Sequence, residues 1–186
     1  MDIVQQIKNF VEAECKKPKS IYGYDAYIFH FMPMVKYSEK LAGDLGGDKT
    51  IVLIAAWLHD IGSIRHGRKD HHITGAKIAE EKLKELNYPT EKIELIKKCI
   101  LHHRGSQNSK RETIEEKIIA EADTLACFDD IPGIFQAAYC WEGHKTRESA
   151  KIAVKEKLER KWNQLHFKKS KEIIKPKYEA AMLLLE

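Results

Sequence analysis

Hydrophobic residues recur at helical spacing along almost the whole chain. In the segment 2–15 the apolar side chains fall on one stripe of an α-helix, and the same period predicts helices over 25–45 and 48–60. No segment alternates apolar and polar residues over the length of a strand. The pattern therefore predicts an all-α fold, a helical bundle. The further predicted helices are 72–86, 91–103, 113–128, 145–166 and 170–185.

Glycine, proline and polar residues separate these segments. Gly46 and Gly47 end the second helix, in which Pro33 predicts a bend, and Asp48 is expected to cap the third. The other predicted boundaries are the basic loops 62–70 and 105–111, a cap at Thr90, and a turn at Pro132-Gly133.

Length and composition indicate one domain. The chain has 186 residues, of which 43% are hydrophobic and 32% are charged with mixed sign. This is enough apolar material for a core, and the charges fit solvated helix faces. We therefore expect one domain over 1–186, with a motif-bearing core at about 25–130 and the C-terminal helices, 145–185, packed on it. The Lys/Glu-rich stretch 145–161 is expected to be solvated.

The charge and the apolar runs limit the expected partners. The net charge of +4 suits a small anionic substrate and does not indicate a specific nucleic-acid binder. The densest apolar run, 51–58, is far shorter than the about 20 residues of a membrane span, so no membrane partner is expected. The first residues do not resemble an export signal, which predicts a cytoplasmic location. Self-association is left open.

Histidine and aspartate occur where burial makes them costly. His59 and Asp60 directly follow the apolar run, His30 lies in an aromatic stretch, and Asp123 lies in an otherwise apolar helix. A buried carboxylate needs a donor, a cation or a metal. Imidazole and carboxylate together suit borderline divalent metals such as Zn, Fe, Mn, Ni or Co. Taken alone, the pair could instead cap a helix and begin a turn.

The order of these four residues resembles the HD superfamily of metal-dependent phosphohydrolases. The contexts Leu58-His59-Asp60-Ile61-Gly62 and Glu121-Ala122-Asp123 are similar to that family as well, over residues from about 25 to 130. The resemblance implies a helical bundle. It also implies that one metal ion is held by His30, His59, Asp60 and Asp123.

Two further histidine pairs, His71-His72 and His102-His103, lie between the His59-Asp60 doublet and Asp123. Binuclear branches of the family place one extra ligand in each such motif, which here implies a second metal held by His71 and His103 and bridged to the first by Asp60. His72 and His102 remain alternatives as ligands or as partners that orient them. One or two divalent transition-metal ions are therefore expected.

The basic loops and the position after the doublet bear on the substrate. Arg65 and Arg104 are the predicted phosphate-binding residues, because a guanidinium can bind two oxygens. Some branches of the family have a lysine or a glutamate three residues after the aspartate of the His-Asp pair. At this position, three residues after Asp60, the present sequence has Ser63. We expect hydrolysis of a small phosphate ester or nucleotide by a metal-activated water at Asp60. The alternatives are a di-iron oxygenase of the same fold and a non-catalytic module that senses a nucleotide.

Overall fold

The computed structural model describes residues 1–105 and 110–186, and helices are the regular elements of these ranges, in which no strand occurs. The all-α prediction is confirmed. Of the predicted loop 105–111, residues 106–109 lie outside the described residues. In chain order the elements are α1 (Ile3–Cys15), a π-helical turn (Tyr27–Phe31), α2 (Met32–Leu45), α3 (Lys49–Leu58), α4 (Ile61–His66), α5 (His71–Glu85), α6 (Thr90–His102), α7 (Ile114–Ala126), α8 (Ile131–Cys140), α9 (Arg147–Asn163) and α10 (Lys168–Leu184).

Helix α3 lies at the centre of the bundle. Seven of its ten residues are buried, from Ile51 to Leu58, and α1, α2, α6 and α7 pack around it. Its beginning is fixed as predicted, because the Asp48 carboxylate accepts hydrogen bonds from the backbone N–H groups of Thr50 and Ile51. A helix that is apolar on all sides must be enclosed by others. The C-terminal end of α3 is therefore held inside the bundle.

The predicted bend near Pro33 is a π-helical turn directly before α2. The Met32 N–H donates to the carbonyl of Tyr27, one residue further back than in an α-helix. Pro33 has no N–H, and its ring would collide with the Phe29 carbonyl in a regular helix. The wider turn relieves this conflict, and it carries His30.

Two segments predicted as loop or turn are helices. Ile61–His66 forms the short helix α4, in which Ile61 and Ile64 are buried, so the basic loop begins only at Gly67. Pro132 and Gly133 lie in the first turn of α8, where a proline is tolerated because its missing N–H has no intrahelical partner. The capping carboxylate there is Asp130, which accepts from the Gly133 N–H. The predicted Thr90 cap is shifted by one residue, since Pro89 precedes α6.

The C-terminal helices pack on the rest of the bundle. Helix α9 contacts α7 and α8, and α10 contacts α7 and α9. No helix within 1–105 and 110–186 combines the length and the apolar character that crossing a membrane requires.

Candidate metal centre

Five elements bring histidines and aspartates to one place. Asp123 lies within α7, and the other side chains lie at the ends of helices or in an irregular turn. The elements and their residues are the π-helical turn with His30, the α3–α4 junction with His59 and Asp60, the beginning of α5 with His71, the end of α6 with His103, and α7 with Asp123.

The first group surrounds one oxygen of Asp60. The Nε2 atoms of His30 and His59 lie 2.9 Å apart. Asp60 Oδ2 lies 3.5 Å from the first nitrogen and 3.7 Å from the second. Asp123 Oδ1 lies 3.7 Å from His30 Nε2 and 3.8 Å from His59 Nε2. His30, His59 and Asp60 together could hold one metal ion, and the distances of Asp123 Oδ1 from the two imidazoles make it a candidate fourth donor.

The second group surrounds the other oxygen of Asp60. Asp60 Oδ1 lies 3.1 Å from His71 Nε2 and 3.7 Å from His103 Nε2. The two nitrogens lie 3.2 Å apart. These three residues could hold a second ion, and the Asp60 carboxylate would then bridge the two positions.

The second group fits a metal ion because the Nδ1 atom of each of its imidazoles is engaged by a backbone carbonyl. His71 Nδ1 donates to the Arg68 carbonyl at 2.8 Å, and His103 Nδ1 donates to the Ile100 carbonyl at 2.6 Å. Both Nε2 atoms therefore point lone pairs at each other across 3.2 Å, which is repulsive without a cation between them. Nitrogens bound to one ion at about 2.0–2.1 Å lie about 3 Å apart. His59 is held in the same way, with Nδ1 2.8 Å from the Ala56 carbonyl.

Burial and mutual charge set the protonation of the site. Burial, together with the neighbouring His59, lowers the pKa of His103 to about 4. Burial also lowers the pKa of His59. In Asp60 burial acts to raise the pKa, but the adjacent imidazoles of His59 and His30 outweigh it and hold the pKa well below its usual range. In His30 burial acts to lower the pKa, but the hydrogen bond to Asp60 and the charge of Asp60 outweigh it and raise the pKa. Near neutral pH Asp60 is thus a carboxylate, and His59 and His103 are neutral imidazoles, the forms that bind metals.

Lys161 of α9 also belongs to this site, although no sequence pattern predicted it. Its Nζ atom lies 3.1 Å from Asp123 Oδ2, and its side chain is 18% exposed. The prediction that 145–161 is a solvated face is therefore wrong at this position. Burial acts to lower the pKa of Lys161, but the charge of Asp123 outweighs it and raises that pKa. A lysine in a Lys/Glu-rich helix carries no local signal that distinguishes it from its exposed neighbours.

Ser63 also contacts the centre. The residue is buried in α4, and its hydroxyl donates to Asp60 Oδ1 at 3.3 Å. The side chain that replaces lysine or glutamate at this position thus contributes a neutral donor to the bridging carboxylate.

The alternative histidines, His72 and His102, belong to neither of the two groups that could hold a metal ion. His102 Nδ1 lies 2.9 Å from Glu116 Oε2, on the α7 side of the end of α6. His72 Nδ1 lies 3.5 Å from an Arg104 nitrogen. The half-buried Arg104 therefore lies next to the histidine pair at the beginning of α5, in the neighbourhood of the second group.

Arg65 occupies a different position from the one predicted. Its guanidinium binds Glu14 of α1 through two hydrogen bonds of 2.7 and 2.9 Å, and it lies over the Phe10 ring. Because α4 is a helix and not a loop, this side chain is directed to α1. We therefore assign Arg65 a structural role and no role in binding phosphate.

Trp141, which forms an aromatic pair with Tyr22, is next in the chain to Glu142, which pairs with Arg68. Tyr22 and Trp141 make an edge-to-face contact with ring centroids 5.2 Å apart, and Trp141 is 56% exposed. Burial raises the pKa of Tyr22, and the charge of Asp60 adds to this rise. The neighbouring Glu142 pairs with Arg68, whose carbonyl holds His71.

The family follows from the sequence match. Residues 27–127, more than half of the chain, match the HD domain. The chain belongs to the HD-domain family. All six residues of the two groups lie inside the matched region, whereas Lys161 lies outside it, in the C-terminal helices that pack on the HD core.

Solved structures, among them one of an HD-superfamily hydrolase, share the fold of this chain over nearly its full length. An HD-superfamily hydrolase of Bacillus thuringiensis has a TM-score of 0.75 at 20% identity, with 98% of this chain and 92% of that chain covered. YpgQ of Bacillus subtilis, solved in complex with ADP, has a TM-score of 0.71 at 21% identity, with 97% of this chain and 92% of that chain covered. At these identities the similarity establishes the HD fold.

One curated relative is a much longer chain. The tRNA (cytidine(56)-2'-O)-methyltransferase of Picrophilus torridus is 30% identical over 142 residues, which are 71% of this chain. The HD-domain chain spans only 40% of the length of that methyltransferase.

Proposed function

We propose that this HD-domain protein is a metal-dependent phosphohydrolase that acts on a small phosphate ester or nucleotide. The observation that supports this most strongly is the position of Asp60 between two histidine pairs. Its Oδ2 atom faces His30 and His59, and its Oδ1 atom faces His71 and His103. Two adjacent ions can clamp the oxygens of a phosphoryl group and of its attacking water.

The proposed ligands divide between the two positions. His30, His59, Asp60 and Asp123 would hold the first ion, and Asp60, His71 and His103 the second; Mn, Fe, Ni, Co and Zn all suit this donor set. A bound divalent ion lowers the pKa of a coordinated water toward 7 and so supplies the nucleophile. The backbone carbonyls behind His59, His71 and His103 keep their Nε2 lone pairs turned inward.

The protein's own charges have distinct tasks in this proposal. Arg104 binds the phosphoryl oxygens, because its guanidinium lies 3.5 Å from His72, the neighbour of His71 in the chain, and offers paired donors. Lys161 binds Asp123 Oδ2 and keeps this carboxylate ionised with Oδ1 directed to the histidines. Ser63 donates to Asp60 and orients the bridge. None of these side chains exchanges a proton with substrate in our proposal.

Two observations favour a nucleotide among phosphate esters. A structural neighbour, YpgQ, was solved with ADP. In this chain the exposed indole of Trp141 and the ring of Tyr22 lie beside the charged cluster, and aromatic faces stack on nucleobases. A phosphate at the ions with its base on this aromatic pair would use both features.

Hydrolysis assays with defined metals test the proposal. The protein is loaded separately with Mn, Fe, Co, Ni or Zn and offered p-nitrophenyl phosphate and a panel of nucleoside mono-, di- and triphosphates. We expect metal-dependent release of phosphate or pyrophosphate, and an Asp60→Asn variant with kcat/KM reduced by more than about 100-fold. The control is His66→Gln, which changes an exposed histidine at the end of α4 and should leave the rate unchanged.

Two results would contradict the proposal. The first is hydrolysis by Asp60→Asn at the wild-type rate, which would mark a contaminating activity. The second is the absence of hydrolysis with every metal together with oxygen uptake by the iron-loaded protein, which would favour the oxygenase alternative.

A further inference from the structure

A cavity lies along α7. It has a volume of about 590 Å³ and is bounded by α7, the end of α9 and the chain on both sides of residues 106–109. One water occupies about 30 Å³, and ligand pockets are typically about 300–1,000 Å³. The space therefore suits a small molecule. None of the six residues around Asp60 is among the described residues that line it.

Two buried acceptor atoms without partners lie in the cavity wall. Glu121 is 4% exposed; its Oε1 atom accepts the His166 N–H, whereas its Oε2 atom has no partner among the described residues. Gln164 donates from Nε2 to the Gly105 carbonyl, and its buried Oε1 atom is unpartnered in the same part of the chain. Leaving a buried polar atom unpaired costs about 1–3 kcal/mol. Both atoms require donors, and the cavity is the space from which donors can reach them.

The same wall carries positive charge. Lys110, Arg111 and Lys117 line the cavity. The Arg111 guanidinium is engaged, since it donates to the carbonyls of His102 at 2.8 Å and Arg104 at 3.2 Å. The two lysines are therefore the charges that we assign to an anionic ligand.

These features fix the chemistry and the direction of an occupant. The Glu121 carboxylate repels an anion and attracts N–H donors, so the donor end must face Glu121 and Gln164. The anionic end must face Lys110 and Lys117. We propose that this cavity is a second ligand site, separate from the metal centre, for a small molecule with amino or amide N–H donors at one end and a phosphate at the other, as in a nucleoside monophosphate.

Binding measurements on variants of both sites test this inference. Isothermal titration calorimetry of the full chain with AMP, GMP, CMP, UMP and inorganic phosphate should show at least one nucleotide that binds at least about 10-fold more tightly than phosphate, because phosphate lacks the donors. The substitutions Lys117→Glu and Glu121→Gln should each lower the affinity for that nucleotide by at least about 10-fold. Lys117 is exposed, so its variant keeps the test valid if the buried Glu121→Gln variant fails to fold.

The matched controls separate this site from the metal centre. Lys98→Glu reverses an exposed lysine of α6 and should bind as the wild type does. His30→Ala removes a residue of the first metal group and should retain nucleotide binding in the cavity. The inference is overturned if no nucleotide binds at millimolar concentration, if phosphate alone binds as tightly, or if His30→Ala abolishes a binding that Lys117→Glu leaves intact. These results do not depend on whether the metal centre hydrolyses phosphate esters.

Discussion

The Nζ atom of Lys161 lies 3.1 Å from Oδ2 of Asp123, while Oδ1 of the same carboxylate faces His30 and His59. Lys161 belongs to α9, outside the region that matches the HD domain. The C-terminal helices therefore do more than cover the core. They supply a cation that fixes the orientation of one candidate ligand and offsets its charge.

Replacement of Lys161 by glutamine should weaken the metal centre. Asp123 would lose its ion-pair partner and the constraint on its carboxylate, and partners of this kind typically contribute about 10–100-fold in metal affinity or activity. We expect a loss of that size in kcat/KM, with partial recovery in Lys161→Arg. Metal titration and steady-state kinetics measure both effects. Arg160→Gln, at an exposed cation one residue earlier, is the control, and an equal loss in this variant would exclude a specific role for Lys161.

Ser63→Ala should lower activity without changing the fold. The variant removes only the 3.3 Å donor to Asp60 Oδ1. One hydrogen bond contributes about 0.5–1.5 kcal/mol, which corresponds to about 2–10-fold in rate. The decrease should appear in kcat more than in KM, because Ser63 contacts the bridge and not the substrate. Unaltered kcat would show that the hydroxyl has no part in orienting Asp60.

Gly62→Ala should separate α4 from α5. A Cβ atom at this position would overlap the carbonyl oxygen of His71 and the side chain of Thr74, so the helix that follows Asp60 could no longer approach the helix that carries His71. We expect a loss of about 1–3 kcal/mol in the free energy of unfolding. Gly43→Ala in α2 meets open space and should gain about 0.5–1 kcal/mol. Urea denaturation compares the two, and equal effects would contradict this packing.

The ion pair between Glu14 and Arg65 should give a pH-dependent contribution to stability. Burial acts to raise the pKa of Glu14, but the hydrogen bonds from Arg65 and Lys17 outweigh it and lower the pKa below its ordinary 4.5. The pair therefore stabilises the fold fully above pH 4.5, and its contribution is lost as the pH falls through the folded-state pKa. Arg65→Gln should cost about 1–2 kcal/mol at pH 7. Denaturation of the wild type and of Arg65→Gln should show a smaller difference in the free energy of unfolding at pH 3 than at pH 7. An equal difference at both pH values would exclude the ion pair as its source.

The sequence predicted the clustered donors because each lies in a short motif of its own. The doublet follows the most apolar helix, and the bend at Pro33 coincides with the turn that carries His30. The motif favoured His71 and left His72 as the alternative; adjacent residues on a helix point about 100° apart, and at the beginning of α5 it is His71 whose Nε2 atom lies 3.1 Å from Asp60 Oδ1.

Other features could not be predicted from local patterns. Lys161 and Asp123 lie 38 residues apart, and nothing in the sequence joins them. Arg65 was placed in a loop because Gly62 and several polar residues surround it. The spacing of the buried Ile61 and Ile64, three residues apart, was the available signal that α4 is a helix facing the core.

In the proposed centre Asp60 joins two metal positions, and the metal content of the protein measures this directly. The wild-type protein and a His71→Gln variant are loaded with Mn under the same conditions, freed of excess ion, and analysed by mass spectrometry of the metal. We predict two ions per wild-type chain, one ion per variant chain, and loss of hydrolysis in the variant. One ion in both proteins, with equal activity, would contradict a two-metal centre bridged by Asp60.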